Sequence, residues 1–226
     1  MATQKKLDGY KGELSPQQIA DGMNAAAENA RRLADDAKLL LDAKRFPSAA
    51  SIAALSIEES GKVSILRALA LARTQDEIKD EWRSYRSHTS KNVSWILPQL
   101  VANGARKLDD FRPVFDTSAD HPYLLDQVKQ LGFYTDCLGE RHWSTPGSVV
   151  DEELSCSLVQ AADLLAKDNR HTQREIELWI EHIGPVWKKD HKWMKQALIN
   201  WYAAMQSEGL SPEGENKMGA FVRGKI

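Results

Sequence analysis

Residues Pro47 to Ala72 read PSAASIAALSIEESGKVSILRALALA and form the most informative segment of the chain. Its small and apolar residues fall on every side of a helix, and a helix that is apolar all round is usually buried. We therefore expect this segment to be the central helix of a helical bundle. Three charged residues interrupt the apolar run near its middle, at Glu58, Glu59 and Lys62.

These central charges need partners, because burying an ion away from water is costly. Lys62 lies four residues after Glu58 and three after Glu59, so both pairs share a helix face. One lysine does not neutralise two carboxylates, so a further cationic group is expected from elsewhere in the chain, or one carboxylate is protonated. Gly61 costs about 1 kcal/mol relative to alanine inside a helix. It indicates close approach of another backbone or a ligand, or a kink. A solvated patch on a partly covered helix is the alternative interpretation of the charges.

Helices are predicted on both sides of this segment. Ser15 and Pro16 fit the cap and first turn of a helix that runs to about residue 44. A third helix is expected from Thr74 to Leu97, where Pro98 ends or perturbs it. No strand-period alternation of useful length is found. The predicted fold is therefore all-α, a helical bundle with additional C-terminal helices at 123–131, 150–167, 172–187 and 189–205.

Two segments have compositions that do not predict a helix. Residues 132–148, GFYTDCLGERHWSTPGS, are rich in glycine, aromatic and turn residues. A connection of this length without its own helix is uncommon unless it is functional. Residues 207–226 are glycine-rich and polar, and we expect a flexible C-terminal tail there. The preceding residues 1–206 are predicted to form a single domain.

Composition excludes several classes of protein. The chain has 226 residues and a net charge of −2, so electrostatics does not require a nucleic-acid partner. Two cysteines are too few for a disulfide framework, and their spacing matches no zinc site, so we expect no metal and no cofactor. No apolar run is long enough to span a membrane, and the first residues lack the apolar core of a signal peptide. We therefore expect a cytoplasmic protein without a membrane partner.

The third predicted helix carries possible partners for the acidic pair. His88, Lys91 and Trp95 lie at spacings of three and seven, so they share one face of a continuous helix. A short link predicts a hairpin between this helix and the central one. That hairpin could place His88 opposite Glu58 and Glu59. A histidine at the surface is the alternative interpretation.

Arg83 and His88 also fit the pattern R-x4-H, which arises often by chance. Residues five apart on an unbroken helix point about 140° away from each other. The two side chains would therefore converge only if the helix bends or the arginine reaches round it.

Three blocks of the sequence, in this order, resemble the AbiV family of abortive infection proteins. RFPSAASIAALSIEESGK resembles the family's helix of small and apolar residues that leads into Glu-Glu-x-Gly-Lys. SYRSHTSK resembles its His-x-x-Lys segment, and VKQLGFYTDCLGERHWSTPGS resembles its glycine-aromatic-tyrosine block. The resemblance covers roughly residues 35 to 150, while residues 151–226 carry no motif that we recognise.

The resemblance has consequences for function. AbiV proteins act in abortive infection, in which an infected bacterium stops its own growth, and the effect is associated with blocked translation. They are grouped with the HEPN superfamily of helical bundles, which often dimerise and include many metal-independent RNases with an R-x4–6-H motif. The resemblance implies a HEPN-like fold, a homodimer and an anti-phage role with a phage protein as a possible activator. The candidate catalytic residues that it implies are Arg83, His88, Glu58, Glu59, Lys62 and Lys91.

An RNase would use these residues in a defined way. His88 would act as general base or general acid, and Arg83 or Lys91 would stabilise charge in the transition state. RNA would need a positive surface, for which the tryptophan-interleaved segment 187–201 is the best candidate. Its proposed RNA-binding residues are Lys188, Lys189, Lys192 and Lys195. The alternative is that these lysines form the solvated face of an ordinary core helix.

A second function class fits the same residues. The chain could be a non-catalytic helical binding module that senses a phage protein or blocks the translation machinery. The charged cluster would then be a buried polar network that fixes the register of the helices. A cluster open to solvent favours catalysis, and a sealed cluster favours the structural role.

Overall fold

The helical bundle predicted from the sequence is confirmed by the computed structural model, which describes residues 8–116, 118–167 and 169–224. A hairpin of two three-residue antiparallel strands, β1 (Asp136–Leu138) and β2 (His142–Ser144), lies between two of the helices. Short 3-10 turns are formed by Val93–Ile96, Leu108–Phe115 and Gly184–Val186. The α-helices are α1 (Pro16–Asp42), α2 (Phe46–Leu69), α3 (Gln75–Arg86), α4 (His88–Lys91), α5 (Leu97–Ala102), α6 (His121–Phe133), α7 (Pro146–Val149), α8 (Glu152–Leu165), α9 (Gln173–Ile183), α10 (His191–Ser207) and α11 (Lys217–Arg223).

Helix α2 lies at the centre of the bundle, as its sequence predicts. It packs along α1 and is also contacted by α3, α4, α6 and α8. The facing surfaces of α1 and α2 consist largely of alanine, and short side chains let two helices pack closely. The alanines that are almost completely buried in this contact are Ala30, Ala34, Ala37, Ala49, Ala50, Ala53 and Ala54.

The prediction of one continuous helix from 74 to 97 is wrong. Ser87 is extended (φ −80°, ψ 130°), so it ends α3 and begins α4. Its hydroxyl accepts a hydrogen bond from the backbone N–H of Ser90 at 3.3 Å, a local bond that competes with helix continuation. A 3-10 turn and α5 follow, and Pro98 lies near the start of α5 rather than at the end of a long helix. His88 and Trp95 consequently do not share one continuous helical face.

The segment 132–148 also differs from the expectation of a long irregular connection. Helix α6 runs into it as far as Phe133, and the β-hairpin and α7 occupy most of the rest. Gly139 and Arg141 adopt positive φ angles at the turn. The hairpin was missed because three-residue strands are too short to show a period of two. It leaves Tyr134 and Trp143 exposed.

The end of the chain carries an element that the sequence did not indicate. Where we expected a flexible tail, Lys217–Arg223 form α11, and the side chain of Asn216 caps this helix. The Phe221 ring packs on Phe111 at a centroid distance of 5.6 Å, and Ala220 is buried. The C-terminal residues therefore pack on the body of the protein, and the single-domain organisation stays a prediction. Among the described helices, none has the length and hydropathy needed to cross a membrane.

Candidate active site

Glu58 is the centre of a charged cluster on the buried helix α2. Its carboxylate is only 4% exposed, and groups from two other helices surround it. Nδ1 of His88 lies 2.7 Å from Oε2, and Nζ of Lys91 lies 3.5 Å from the same oxygen. Nζ of Lys129 lies 2.5 Å from Oε1. The structure thus brings Glu58, His88 and Lys91 together, as the sequence predicts.

The second carboxylate of the pair has a partner of its own. Nζ of Lys62 lies 2.5 Å from Oε1 of Glu59, and both side chains are largely buried. The Lys62 ammonium also lies over the Tyr85 ring, 5.2 Å from its centroid. Lys62 therefore neutralises Glu59, and Glu58 depends on cations from other helices.

Lys129 on α6 is the cation that sequence reasoning missed. Its ammonium contacts Oδ1 of Asp126 at 2.7 Å and lies 3.3 Å from Nδ1 of His88. Although burial lowers the pKa of Lys129, its hydrogen bonds to Asp126 and Glu58 raise that pKa above its ordinary value. The only hint of this ion pair in the sequence was that Asp126 and Lys129 lie three residues apart, shortly before Gly132. Nothing in the sequence showed that this face of α6 would meet α2.

The third lysine of the cluster, Lys91, has a less favourable environment than Lys129. Burial lowers the pKa of Lys91, and attraction to Glu58 only partly offsets this effect. In total the cluster contains three carboxylates (Glu58, Glu59, Asp126) and three ammonium groups (Lys62, Lys91, Lys129). It is therefore electrically balanced when His88 is neutral, which is the form that accepts a proton.

Two glycines allow the surrounding helices to reach α2. A Cβ atom on Gly61 would overlap the backbone carbonyl oxygen of Lys91, so only glycine lets α4 lie this close. A Cβ atom on Gly132 would overlap Oγ of Ser51, where α6 meets α2. That hydroxyl hydrogen-bonds to main-chain carbonyls of both helices. The sequence-based interpretation of Gly61 as a point of close backbone approach is confirmed.

The exposure of His88 distinguishes it from the rest of the cluster. Its side chain is 55% exposed, although its Nδ1 contacts a buried carboxylate. The shorter contact assigns the Nδ1 proton to a hydrogen bond donated to Glu58, which leaves Nε2 as the acceptor nitrogen. Nε2 has no hydrogen-bond partner within the described part of the chain. The arrangement provides a fixed imidazole with a free basic nitrogen at the surface.

Three side chains of the cluster could in principle hold a metal ion. Glu58, His88 and Asp126 offer ligand atoms that lie within 4.8 Å of one another. The Lys129 ammonium contacts all three of these side chains. A lysine ammonium thus occupies the position in which a divalent cation would have to bind them.

Arg83 lies apart from this cluster. Its side chain is 77% exposed, and its guanidinium pairs with Asp80 at 2.7 Å on the outer face of α3. The bend at Ser87 does not turn it towards His88, and no contact between the two is found among the described residues.

The lysines proposed to bind RNA lie at the surface beyond α9. Lys188 is 3.7 Å from Glu77, and Lys195 is 2.6 Å from Asp109. Lys189 and Lys192 are exposed. The intervening tryptophans differ in role, since Trp193 is exposed while Trp201 is buried in the core.

The model of the HEPN_AbiV family, described as AbiV, matches residues 18–167, well over half of the chain. The chain belongs to the AbiV family. All six side chains of the charged cluster and His88 lie inside the region that matches the AbiV model, whereas α9 to α11 and the C-terminal lysines lie outside it. No curated protein and no solved structure matches the chain. Membership in the AbiV family supports a HEPN-like fold and a function of the HEPN type in abortive infection.

Proposed function

We propose that this protein protects bacteria against phages by abortive infection, and that it stops translation in infected cells as a metal-independent endoribonuclease. The observation that carries the proposal is the pairing of Glu58 with His88. A buried carboxylate fixes one nitrogen of an exposed imidazole and leaves the other nitrogen free. This is the geometry that a general base requires.

The chemistry follows from that geometry. Nε2 of His88 takes the proton from a ribose 2′-hydroxyl, and the 2′-oxygen attacks the adjacent phosphorus. The bond to the 5′-oxygen breaks, this oxygen receives a proton from the imidazolium, and a 2′,3′-cyclic phosphate remains. Glu58 stabilises the positive charge that His88 carries between the two transfers, as a buried carboxylate does for other catalytic histidines.

The burial of the lysines supports a positioning role for them. Lys91 and Lys129 are almost completely buried, so they hold the carboxylate of Glu58 rather than contact a phosphate group. Lys62 does the same for Glu59. Arg83 is an exposed cation five residues before His88 in the sequence, and we propose that it binds the phosphate backbone of RNA. Lys188, Lys189, Lys192 and Lys195 are proposed to extend this contact.

The test is to incubate the purified protein with total RNA and to look for new 2′,3′-cyclic phosphate ends. We expect such ends with the wild-type protein and with His142→Ala, a change of an exposed histidine on the β-hairpin. We expect none with His88→Ala. If a preparation that protects cells against phage produces no new ends, the protein is not an RNase of this type.

One observation favours a second candidate function, a non-catalytic binding module. The hairpin and the end of α6 expose large apolar side chains, among them Tyr134, Leu138 and Trp143, which could contact a phage protein or the translation machinery. On this hypothesis Trp143→Ala abolishes phage protection and His88→Ala does not. The RNase hypothesis predicts the reverse dependence on His88.

We also propose a homodimer, as is common among helical bundles of the HEPN type, and activation by a phage protein. A homodimer sediments at twice the protomer mass at micromolar concentration. A protein that sediments only as a monomer would contradict this part of the proposal.

A further inference from the structure

A cleft opens beside α4, the helix that carries the candidate catalytic histidine. Its volume is about 490 Å³, which falls within the roughly 300–1,000 Å³ that is usual for small-molecule sites. Thr89 and Ser90 of α4 form one wall. Thr89 directly follows His88, and consecutive Cα atoms are only about 3.8 Å apart. The end of the 3-10 turn Leu108–Phe115 and the start of α6 also line the cleft, together with residues of α2 and α3.

Aromatic side chains without aromatic partners line this cleft. They are Phe115, Tyr123 and Trp187, and Phe115 and Tyr123 are among the most exposed apolar residues of the protein. Within the described ranges none of the three packs against another ring, whereas Trp82, Trp179 and Phe111 all do. Exposed rings of this kind provide surfaces on which a flat heterocycle stacks.

The polar groups of the cleft fit a neutral ligand with hydrogen-bonding edges. Hydroxyl groups of Ser64, Ser84, Thr89, Ser90 and Ser94 line it, and each of them both donates and accepts hydrogen bonds. The charged side chains that line it are the carboxylates of Glu81 and Asp116, with Lys188 close to Glu81. Carboxylates repel a phosphate group but accept a hydrogen bond from the amino group of a base.

We propose that this cleft binds an unpaired nucleobase of single-stranded RNA next to the bond that His88 cleaves, with a preference for bases that carry an exocyclic amino group. The base stacks on Phe115 and Tyr123 and donates its amino group to Glu81 or Asp116. The phosphate backbone runs outside the cleft, where Lys188 and the lysines that follow it lie at the surface. This inference rests on the proposed ribonuclease function, since it names the part of the RNA that the site recognises.

The test measures binding without cleavage. Fluorescently labelled 2′-O-methyl oligoadenylate and oligouridylate lack the 2′-hydroxyl that His88 activates, so fluorescence anisotropy reports their affinity alone. We expect Phe115→Ala and Tyr123→Ala each to weaken oligoadenylate binding about tenfold, through the loss of one stacking contact. The matched controls are Trp143→Ala and Tyr134→Ala on the hairpin, because Phe115 and Trp143 are both 73% exposed and Tyr123 and Tyr134 are 59% and 64% exposed.

A further variant tests recognition of the amino group. Wild-type protein should bind oligoadenylate more tightly than oligouridylate, and Glu81→Gln should reduce this difference. The cleft proposal is overturned if the cleft and hairpin variants bind equally well, or if the wild-type protein binds neither oligonucleotide or both with equal affinity. Cleavage of total RNA is scored separately. If the protein produces new cyclic phosphate ends but Phe115→Ala and Tyr123→Ala bind oligoadenylate as tightly as wild type, only the proposal for the cleft is refuted. If these two variants bind more weakly but the wild-type protein cleaves no RNA, only the ribonuclease proposal is refuted.

Discussion

Nδ1 of His88 lies 2.7 Å from Oε2 of Glu58, and the exposed histidine and the buried carboxylate lie 30 residues apart in the chain, on two different helices. The contact spans the boundary between the core and the surface of the protein. Because Lys91 and Lys129 also hold the carboxylate, Glu58 stays fixed whether or not the imidazole is present. Function and stability can therefore be separated at His88.

The first prediction concerns this separation. His88→Ala should abolish RNA cleavage and phage protection, because it removes the free basic nitrogen. It should change the free energy of unfolding by less than about 1 kcal/mol, because the imidazole is partly exposed and Lys91 and Lys129 still hold Glu58. Plaque counts and urea denaturation measure the two effects, with His142→Ala as the control. A stable and fully protective His88→Ala protein would remove this residue from the mechanism.

The second prediction concerns Lys129, whose loss should be costly. Lys129→Met leaves Glu58 and Asp126 with too little positive charge in a buried site, and breaking a buried ion pair in this way costs about 3–5 kcal/mol. Lys79→Met is the matched control, because Lys79 pairs with Asp76 at the same spacing but at the surface. It should cost less than about 1 kcal/mol. If urea denaturation shows equal losses of stability for the two variants, the Lys129 ion pairs do not contribute more to the free energy of unfolding than a surface pair.

The third prediction concerns Gly61, where the usual effect of alanine should be reversed. Alanine stabilises a typical helix interior by about 1 kcal/mol relative to glycine. At position 61 the added methyl group meets the Lys91 carbonyl, and overpacking of this kind costs about 1–3 kcal/mol. Gly147→Ala in α7 meets nothing within 4 Å and should not destabilise the protein. A Gly61→Ala protein as stable as wild type would show that α4 can move away without cost.

The fourth prediction concerns pH and a second buried carboxylate, that of Glu175 in α9. Burial alone would raise its pKa, but hydrogen bonding from His171 and the charge of Arg67 hold that pKa below its ordinary value of 4.5. The unfolded state therefore binds more protons as the pH falls below 4.5, so the stability that ionised Glu175 provides at neutral pH is lost on acidification.

Glu175→Gln tests this dependence. The variant should be less stable than wild type at pH 7 and should lose less stability as the pH falls from about 4.5 through the lowered pKa. Glu215→Gln at the surface is the control and should follow the wild-type curve. Urea denaturation across this pH range provides the measurement. Parallel curves for wild type and Glu175→Gln would contradict the assignment.

Much of the candidate site could be predicted from α2 alone. Its continuous apolar pattern indicates burial, and burial of both carboxylates requires either a cation from outside the helix or protonation of one carboxylate. These conclusions depend on residue spacing and on the cost of burying charge, both of which can be read from one segment. The same segment indicates the close contact at Gly61, because a glycine in mid-helix is unfavourable without a reason in the packing.

The partners of Glu58 were harder to predict. His88 and Lys91 reach it because Ser87 breaks the helix, and a hydrogen bond between a serine side chain and the backbone is a local event that periodicity does not reveal. Arg83 lies at the surface of α3, before the break at Ser87. The R-x4-H pattern therefore did not predict a site shared by Arg83 and His88. Trp95, expected on the same face, instead donates a hydrogen bond to the carbonyl of His121.

The all-α bundle around one buried helix, and the need of the charges on that helix for partners, could both be predicted because they follow from the pattern of residues within single segments. Which groups are those partners depends on the packing of elements that are distant in the chain. Lys129 lies 71 residues from Glu58 and reaches it only because α6 packs on α2 at Gly132. The packing of α11 on the rest of the protein could likewise not be predicted, because residues 207–226 are polar and rich in glycine. Contacts between distant elements depend on how whole surfaces fit together, and no single segment contains that information.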